Sequence, residues 1–225
     1  MGRGILLVLL ATLCWGTSGT ASTYAPESAS ALSIGSARVI VGAVGLLCIA
    51  LIRNRGKRRP AWPWKLIVIG AIGVAGGQLA FFTAIGSAGV AVSTVLTIGV
   101  APVFTGMLGA WYLHERPGRI WGIATGLAIA GAVLMVLGAA AEVGGNPAGL
   151  LLGVLGGVGY AVYVTASKLM LQQGHDPVDV TAAVFCSAAL VLLPVFLLGG
   201  WRWVLEPRGA AVALYLGLVT NALPY

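Results

Sequence analysis

Two long stretches of this sequence lack charged residues. Asp, Glu, Lys and Arg are all absent from positions 66–114, and they are absent again from positions 120–141. About 20 apolar residues in a helix span the hydrocarbon core of a bilayer. The charged residues between the two stretches, Glu115, Arg116 and Arg119, therefore mark a turn at a membrane surface. The sequence predicts an integral membrane protein.

The composition supports this interpretation, because 59% of the residues are hydrophobic and only 8% are charged. A water-soluble domain would have too few polar side chains to cover its surface. The net charge of +7 does not indicate a nucleic-acid partner, since six of the thirteen basic residues lie at positions 53–65 between two apolar stretches. Such a loop suits the cytoplasmic membrane surface. We expect the lipid bilayer as a partner and no nucleic acid.

The apolar stretches predict an all-α membrane bundle of about eight transmembrane helices. A cleaved signal peptide would resemble the first stretch, but a second apolar stretch follows it at once. A polar break at positions 142–147 is the best candidate for a domain boundary. Five helices are predicted before the break, at 1–24, 29–52, 65–85, 90–113 and 120–140, and three after it, at 149–170, 178–198 and 209–225.

The second part of the sequence repeats the first at a shift of 145 residues, without a gap. Gly4, Leu6 and Leu7 match Gly149, Leu151 and Leu152, while Trp15 matches Tyr160. We therefore predict a first repeat of five helices in residues 1–140 and a second repeat in residues 146–225 that stops after its third helix. An odd number of helices inverts the second repeat in the membrane. Inverted repeats are typical of secondary transporters, which bind their substrate near the bilayer midplane.

Several short motifs resemble the drug/metabolite transporter superfamily, EamA type. They are Trp15-Gly16, Phe81-Phe82-x-Ala84, Ala101-Pro102-Val103-Phe104, Glu115-Arg116, and Gly122, Gly126 and Gly131. The resemblance is strong over residues 1–140 and looser over 146–225. It implies ten helices in two inverted five-helix repeats, and this chain is expected to lack the last two helices. It also implies a location in a plasma membrane or bacterial inner membrane. It also implies export of amino acids, other metabolites or drugs by alternating access. A non-transporting membrane scaffold or an inactive fragment is the alternative.

Polar side chains inside the predicted helices are the candidates for a substrate cavity. Arg38 lies near mid-bilayer, where a guanidinium is costly and usually faces the interior of the bundle. It either holds a substrate carboxylate through its fork of donors or braces the bundle by bonding backbone carbonyls. Gln78 and its repeat counterpart Asn221 should face a shared central space, because an unpaired amide in hydrocarbon costs several kcal/mol. The remaining candidates are Trp15, Ser18, Phe82, Thr94, Thr97, Tyr160, Tyr163 and Tyr225.

Other residues are predicted to have structural roles. Prolines at 102, 194 and 224 interrupt their helices and free the carbonyls of Ile98, Leu190 and Thr220. Glu115 and Arg116 are expected at a helix end, where the carboxylate ties down the loop or pairs with Arg119. Two series of glycines at four-residue spacing are predicted to form faces on which helices pack closely. One begins at Gly122-x-x-x-Gly126 and the other at Gly149-x-x-x-Gly153.

An enzyme is not expected, because His114 and His175 lie at helix ends without metal-ligand spacing. Cys14, Cys48 and Cys186 lie in apolar segments and include no Cys-x-x-Cys pair, so we expect neither a metal nor a cofactor. The predicted spans are expected to lack acidic side chains. We therefore expect no proton relay built on carboxylates.

Orientation is the first testable prediction. With the N-terminus in the cytoplasm, the lysines and arginines collect on the inner face, as the positive-inside rule requires. Tags at the N-terminus and within 53–59 should report the cytoplasm, and a tag within 142–147 should report the outside. A tag at Glu142 that is found inside would contradict the inverted second repeat.

Overall fold

The computed structural model describes residues 2–53, 61–115, 118–143 and 146–225, and these residues fold as helices joined by short connections. In lipid every backbone N–H and C=O must be satisfied within the segment, so long apolar stretches become helices. The all-α class predicted from the sequence is confirmed. The helices are α1 (Gly2–Ser22), α2 (Ala31–Arg53), α3 (Trp64–Ala88), α4 (Val90–Tyr112), α5 (Arg119–Val143), α6 (Pro147–Gln172), α7 (Pro177–Leu198) and α8 (Pro207–Leu214).

The eighth helix continues without a break as a π-helix over Tyr215–Ala222, and a short 3₁₀ helix, Trp201–Leu205, precedes it. Within the described residues, five helices are long and apolar enough to cross a bilayer, namely α2, α3, α4, α6 and α7. Within α5 the segment Arg119–Leu134 is also apolar.

The helices group into two compact units. Unit 1 comprises Met1–Trp62 and Gly174–Tyr225. Its central helix is α2, which packs against α7, α8 and the π-helix, while α1 packs against the π-helix. The buried face of α2 consists mainly of small residues, among them Gly35, Ala37, Gly42 and Ala43.

Unit 2 is the continuous segment Pro63–Gln173. Its central helix is α6, which packs against α3 and α4, while α5 packs against α4. Each unit thus combines helices from both sides of the polar break. The division into repeats 1–140 and 146–225 stays a prediction about the sequence.

Glycines bring α3 and α6 into backbone contact in unit 2. A Cβ atom on Gly73 would lie 2.7 Å from the carbonyl oxygen of Gly159, and one on Gly159 would lie 2.6 Å from that of Gly73. Close approach at small residues is the usual way for membrane helices to associate.

The predicted packing face on α6 is confirmed. Cβ atoms on Gly149, Gly153 and Gly157 would all meet atoms of α3 or α4 within 3.1 Å. By contrast, a Cβ on Gly122 or Gly126 of α5 would meet no described atom within 4 Å. Packing at that second pair stays a prediction.

Helices α6 and α7 begin with the same local signal. Asn146 and Asp176 are N-caps whose side chains accept hydrogen bonds from Ala148 N at 3.1 Å and Val178 N at 2.9 Å. A proline follows each cap at the first helical position, where its missing N–H costs nothing.

The expectation that the spans lack acidic side chains is wrong at Asp179. This residue lies in the first turn of α7 and is only 7% exposed. The sequence interpretation overlooked it because it lies so close to the end of its span. A carboxylate three residues after an Asp cap interacts favourably with the helix dipole, which gives it a structural role.

The glycine contact between α3 and α6 can be tested with a matched pair of variants. Gly73→Ala should destabilise the protein by about 1–3 kcal/mol, because the new methyl group meets backbone that cannot move aside. Gly76→Ala in the same helix should be nearly neutral, because no described atom lies within 4 Å of its Cβ. Thermal unfolding in detergent measures both. Equal melting temperatures for the two variants would contradict the contact.

Candidate substrate-binding site

Arg38 of α2 is a buried, charged candidate in unit 1. The residue is 8% exposed, and its Nη2 donates to the carbonyl oxygen of Thr220 in the π-helix at 3.2 Å. Because Pro224 has no N–H, the Thr220 carbonyl lacks its usual partner four residues later in the chain. The guanidinium therefore supplies a donor where proline removes one. The sequence had left open whether Arg38 holds a substrate carboxylate or braces the bundle through backbone carbonyls. This bond is the second of these interactions.

The guanidinium of Arg38 has a donor that makes no hydrogen bond to the described residues. Its Nε is buried and has no hydrogen-bond partner within the described residues. A buried donor without an acceptor costs about 1–3 kcal/mol, and more when the group is charged. Arg38 thus has capacity for a further acceptor.

Asn221 completes a reciprocal pair between the same two helices. It is 1% exposed, and its Nδ2 donates to the carbonyl oxygen of Arg38 at 3.4 Å. Space for the amide exists because position 42 is glycine: a Cβ there would lie only 2.2 Å from Nδ2. Asn221 is therefore packed between helices of unit 1. Its predicted sharing of a wet volume with Gln78 stays a prediction.

The π-helix was not anticipated from the sequence, which predicts one continuous eighth helix. Leu223 N donates to Leu218 O at 2.9 Å, an i to i−5 bond that ends the wider turns. Single π-turns in α-helices often occur at functional sites. The one local signal was Pro224, which prevents a regular bond to Thr220.

Three aromatic rings in unit 1 form a cluster, to which we refer as the aromatic cluster. Tyr225 lies 5.7 Å from Trp15 of α1 and 5.2 Å from Phe185 of α7, measured between ring centroids. The sequence predicted Trp15 and Tyr225 but missed Phe185, because an aromatic residue among apolar neighbours more often serves packing.

Two polar residues, Thr17 and Ser18, follow Trp15 within one turn of α1. Tyr215 donates its hydroxyl to Thr17 Oγ1 at 3.0 Å, which ties the π-helix to α1. Ser18 is buried, and its Oγ has no partner within the part of the chain that the structure describes.

Unit 2 contains a second set of candidates. The side-chain oxygen of Gln78 in α3 is buried without a partner in the described ranges. Tyr160 and Tyr163 of α6 lie 6.0 Å apart, with Tyr160 the more exposed ring. Thr94 of α4 is partly exposed.

Two other candidates in unit 2 are occupied by packing. Thr97 donates its hydroxyl to Gly153 O at 2.9 Å and so joins α4 to α6. Phe82 is 2% exposed and makes an edge contact with Phe81, with ring centroids 5.3 Å apart. Both side chains stabilise the helix packing of the unit.

Glu115 follows α4 and forms an ion pair with Lys168 near the end of α6. The sequence had left open whether this carboxylate ties down the loop or pairs with Arg119, and Lys168 was not considered. Their side chains are 47% and 43% exposed, so the pair contributes about 0–1 kcal/mol. The contact requires both helix ends to lie on one side of the membrane, as the predicted topology has them. Arg116 lies outside the described residues, and Pro102 is an exposed residue inside α4.

A ring contact in unit 1, between Trp62 and His175, was not predicted from the sequence, which placed His175 at a helix end. Trp62 stacks on His175 with ring centroids 4.8 Å apart and an interplanar angle of 21°. His175 is buried, and its Nε2 has no partner among the residues described.

Long apolar helices, proline-interrupted segments and buried polar side chains define a multi-pass membrane protein. The sequence matches the EamA-like transporter family over residues 2–137 and 147–225. The chain belongs to this family, so it is a membrane transporter by family.

Two relatives support the assignment, and one solved structure shares the fold. The chain is 37% identical over 220 residues to "Uncharacterized transporter YwfM" of Bacillus subtilis, which covers 98% of this chain and 73% of that protein. It is 25% identical over 236 residues to "Uncharacterized inner membrane transporter YicL" of Salmonella typhimurium, covering 99% and 76%. A crystal structure with a TM-score of 0.69 and 19% identity, which covers 100% of this chain and 77% of that one, shares the fold.

The pairing of Asn221 with α2 can be tested by a double-mutant cycle. Gly42→Ala should lower the melting temperature, because its methyl group collides with the Asn221 side chain. In Gly42→Ala with Asn221→Ala, the second change removes the obstructing amide. The double variant should therefore be more stable than the sum of the two single effects predicts, by about 0.5–3 kcal/mol. Additive effects would show that residue 221 does not lie against Gly42.

Proposed function

We propose that this protein exports small metabolites, such as amino acids or drug-like compounds, across a plasma membrane by alternating access. Polar atoms buried without protein partners inside membrane helices carry the proposal: Ser18 Oγ, Arg38 Nε and Gln78 Oε1 within the described residues. Such atoms are expensive in a dry interior and call for water or a polar solute.

The aromatic side chains support the same function. Ligand sites are largely apolar, with a few polar groups that fix orientation. Tyr160 in unit 2 and Trp15 in unit 1 each present a ring with a polar atom to partly exposed space. In alternating access the helices around such a site rearrange so that it opens to one side at a time. The proposed orientation has the N-terminus in the cytoplasm.

A non-transporting membrane scaffold is the competing function. It would have the same helices but would not move any solute. Purified protein in proteoliposomes, screened by counterflow against amino acids and drug-like compounds, separates the two functions. Movement of no solute by the wild-type protein would favour the scaffold.

Gln78→Leu tests the cavity in unit 2. The change removes an amide whose oxygen is buried, with little change in volume, so substrate affinity should fall about tenfold while the folded yield stays near wild type. Gln172→Leu is the matched control, because Gln172 is exposed at the end of α6 and should transport normally. Transport of wild-type affinity by Gln78→Leu would remove this residue from the proposed site.

A further inference from the structure

One face of α6 in unit 2 is packed at one turn and open at the next. Gly156 lies between α3 and α4, because a Cβ atom there would lie 3.0 Å from Thr97 Oγ1 and 3.5 Å from Phe81 Cβ. Tyr160 follows one turn later on the same face of α6. The residue is nevertheless 37% exposed. Helices α3 and α4 therefore do not close over the ring of Tyr160.

Gln78 of α3 supplies an acceptor at the depth of Tyr160. The preceding residues in the two helices touch, since a Cβ atom on Gly159 would lie 2.7 Å from the Cα of Gly77. Positions 78 and 160 are therefore level with each other. The Oε1 atom of Gln78 is buried and accepts no hydrogen bond from any described residue.

Helix α4 supplies a second acceptor at the same level. Gly157 of α6 approaches it closely, because a Cβ atom on Gly157 would lie 3.2 Å from Ala101 N. Pro102 is the next residue of α4, and it has no N–H to bond the carbonyl oxygen of Ile98. Both oxygens can accept a proton and neither can supply one. A ligand at this level thus needs N–H or O–H groups.

The charge of the ligand follows from the sequence of the same helices. Residues 66–113 and 147–167 include all of α4 and most of α3 and α6, and they contain no Asp, Glu, Lys, Arg or His. An ion removed from water needs a counter-charge, because its desolvation is costly. These stretches supply none, so the ligand group that they surround is uncharged.

We propose that Gln78, Tyr160 and the Ile98 carbonyl form a binding site for an uncharged aromatic carboxamide, to which we refer as the amide site. The N–H groups of the ligand donate to the two acceptors, and its ring packs against Tyr160. The site lies within unit 2. This proposal rests on the proposed transport function, whose substrate class it names.

Four compounds of similar shape test the class of ligand, with binding to the purified wild-type protein measured by calorimetry in neutral detergent. Benzamide has the proposed donor, acetophenone has a methyl group in its place, and benzoate and benzamidinium are ions. Benzamide should bind about fivefold or more tightly than acetophenone and about tenfold or more tightly than either ion. Absence of benzamide binding, or equal or tighter binding of any other compound, would overturn the proposal.

The acceptor is tested with Gln78→Leu. This variant should lose most of the preference for benzamide over acetophenone, because its side chain accepts no hydrogen bond. Gln172→Leu is the matched control and should keep the wild-type preference, since Gln172 is exposed at the end of α6. A folded Gln78→Leu protein with an unchanged preference would overturn the amide site.

Tyr160→Leu tests the ring and leaves both acceptors in place, should Gln78→Leu fail to fold. It should weaken benzamide and acetophenone alike, by about fivefold or more, because both compounds pack their ring against the tyrosine. Tyr112→Leu is the control, since Tyr112 is 57% exposed and lies ten residues beyond Pro102 in α4. Unchanged binding to folded Tyr160→Leu would overturn the assignment of the site to this face of α6.

Reconstitution in proteoliposomes separates this proposal from the proposed function. Counterflow of any solute by a wild-type protein that does not bind benzamide would overturn the amide site and leave the transport function standing. Binding of benzamide with the expected preferences, without movement of any solute, would overturn the transport function and support the site. Inhibition of counterflow by benzamide in the wild-type protein, but not in Gln78→Leu, would support both.

Discussion

In unit 1, the hydrogen bond from Arg38 to the Thr220 carbonyl satisfies two polar groups that the membrane interior leaves without water. A guanidinium inside a membrane helix needs acceptors, and a carbonyl four residues before proline needs a donor. Each group meets the need of the other at 3.2 Å. Asn221 returns a bond from the π-helix to α2, and the missing side chain at Gly42 makes room for it. Polar pairing and close packing are thus achieved at one place.

Unit 2 is held together differently. There the α3 and α6 backbones touch at Gly73 and Gly159, and dispersion over a close contact replaces most of the hydrogen bonding. Thr97 adds a bond to Gly153. Its hydroxyl shows why polar residues in membrane helices are ambiguous in a sequence: the same group can line a cavity or join two helices. Only the position of the neighbouring backbone decides between these roles.

The sequence predicted the helices well, because membrane thickness and the placement of charges constrain both ends of a span. The second helix was expected at 29–52 and lies at Ala31–Arg53, and the sixth was expected at 149–170 and lies at Pro147–Gln172. The π-helix could not be predicted, since its stability depends on a donor from α2 that is distant in sequence. Phe185 was missed because its neighbours in the sequence are apolar and predict packing equally well. The predicted repeat pairs positions of the two parts of the sequence, but it carries no information on which atoms bond.

The order of the chain has a consequence for synthesis in the membrane. Arg38 and Thr220 are separated by 182 residues, and all of unit 2 is made between them. At about 5–20 residues per second, roughly 10–40 s pass before the partner of Arg38 leaves the ribosome. Throughout that time α2 carries an unpaired charge that lipid does not accommodate well. Insertion of α2 therefore needs a temporary acceptor, such as water in the insertion channel, and that dependence makes the second helix the vulnerable step in biogenesis.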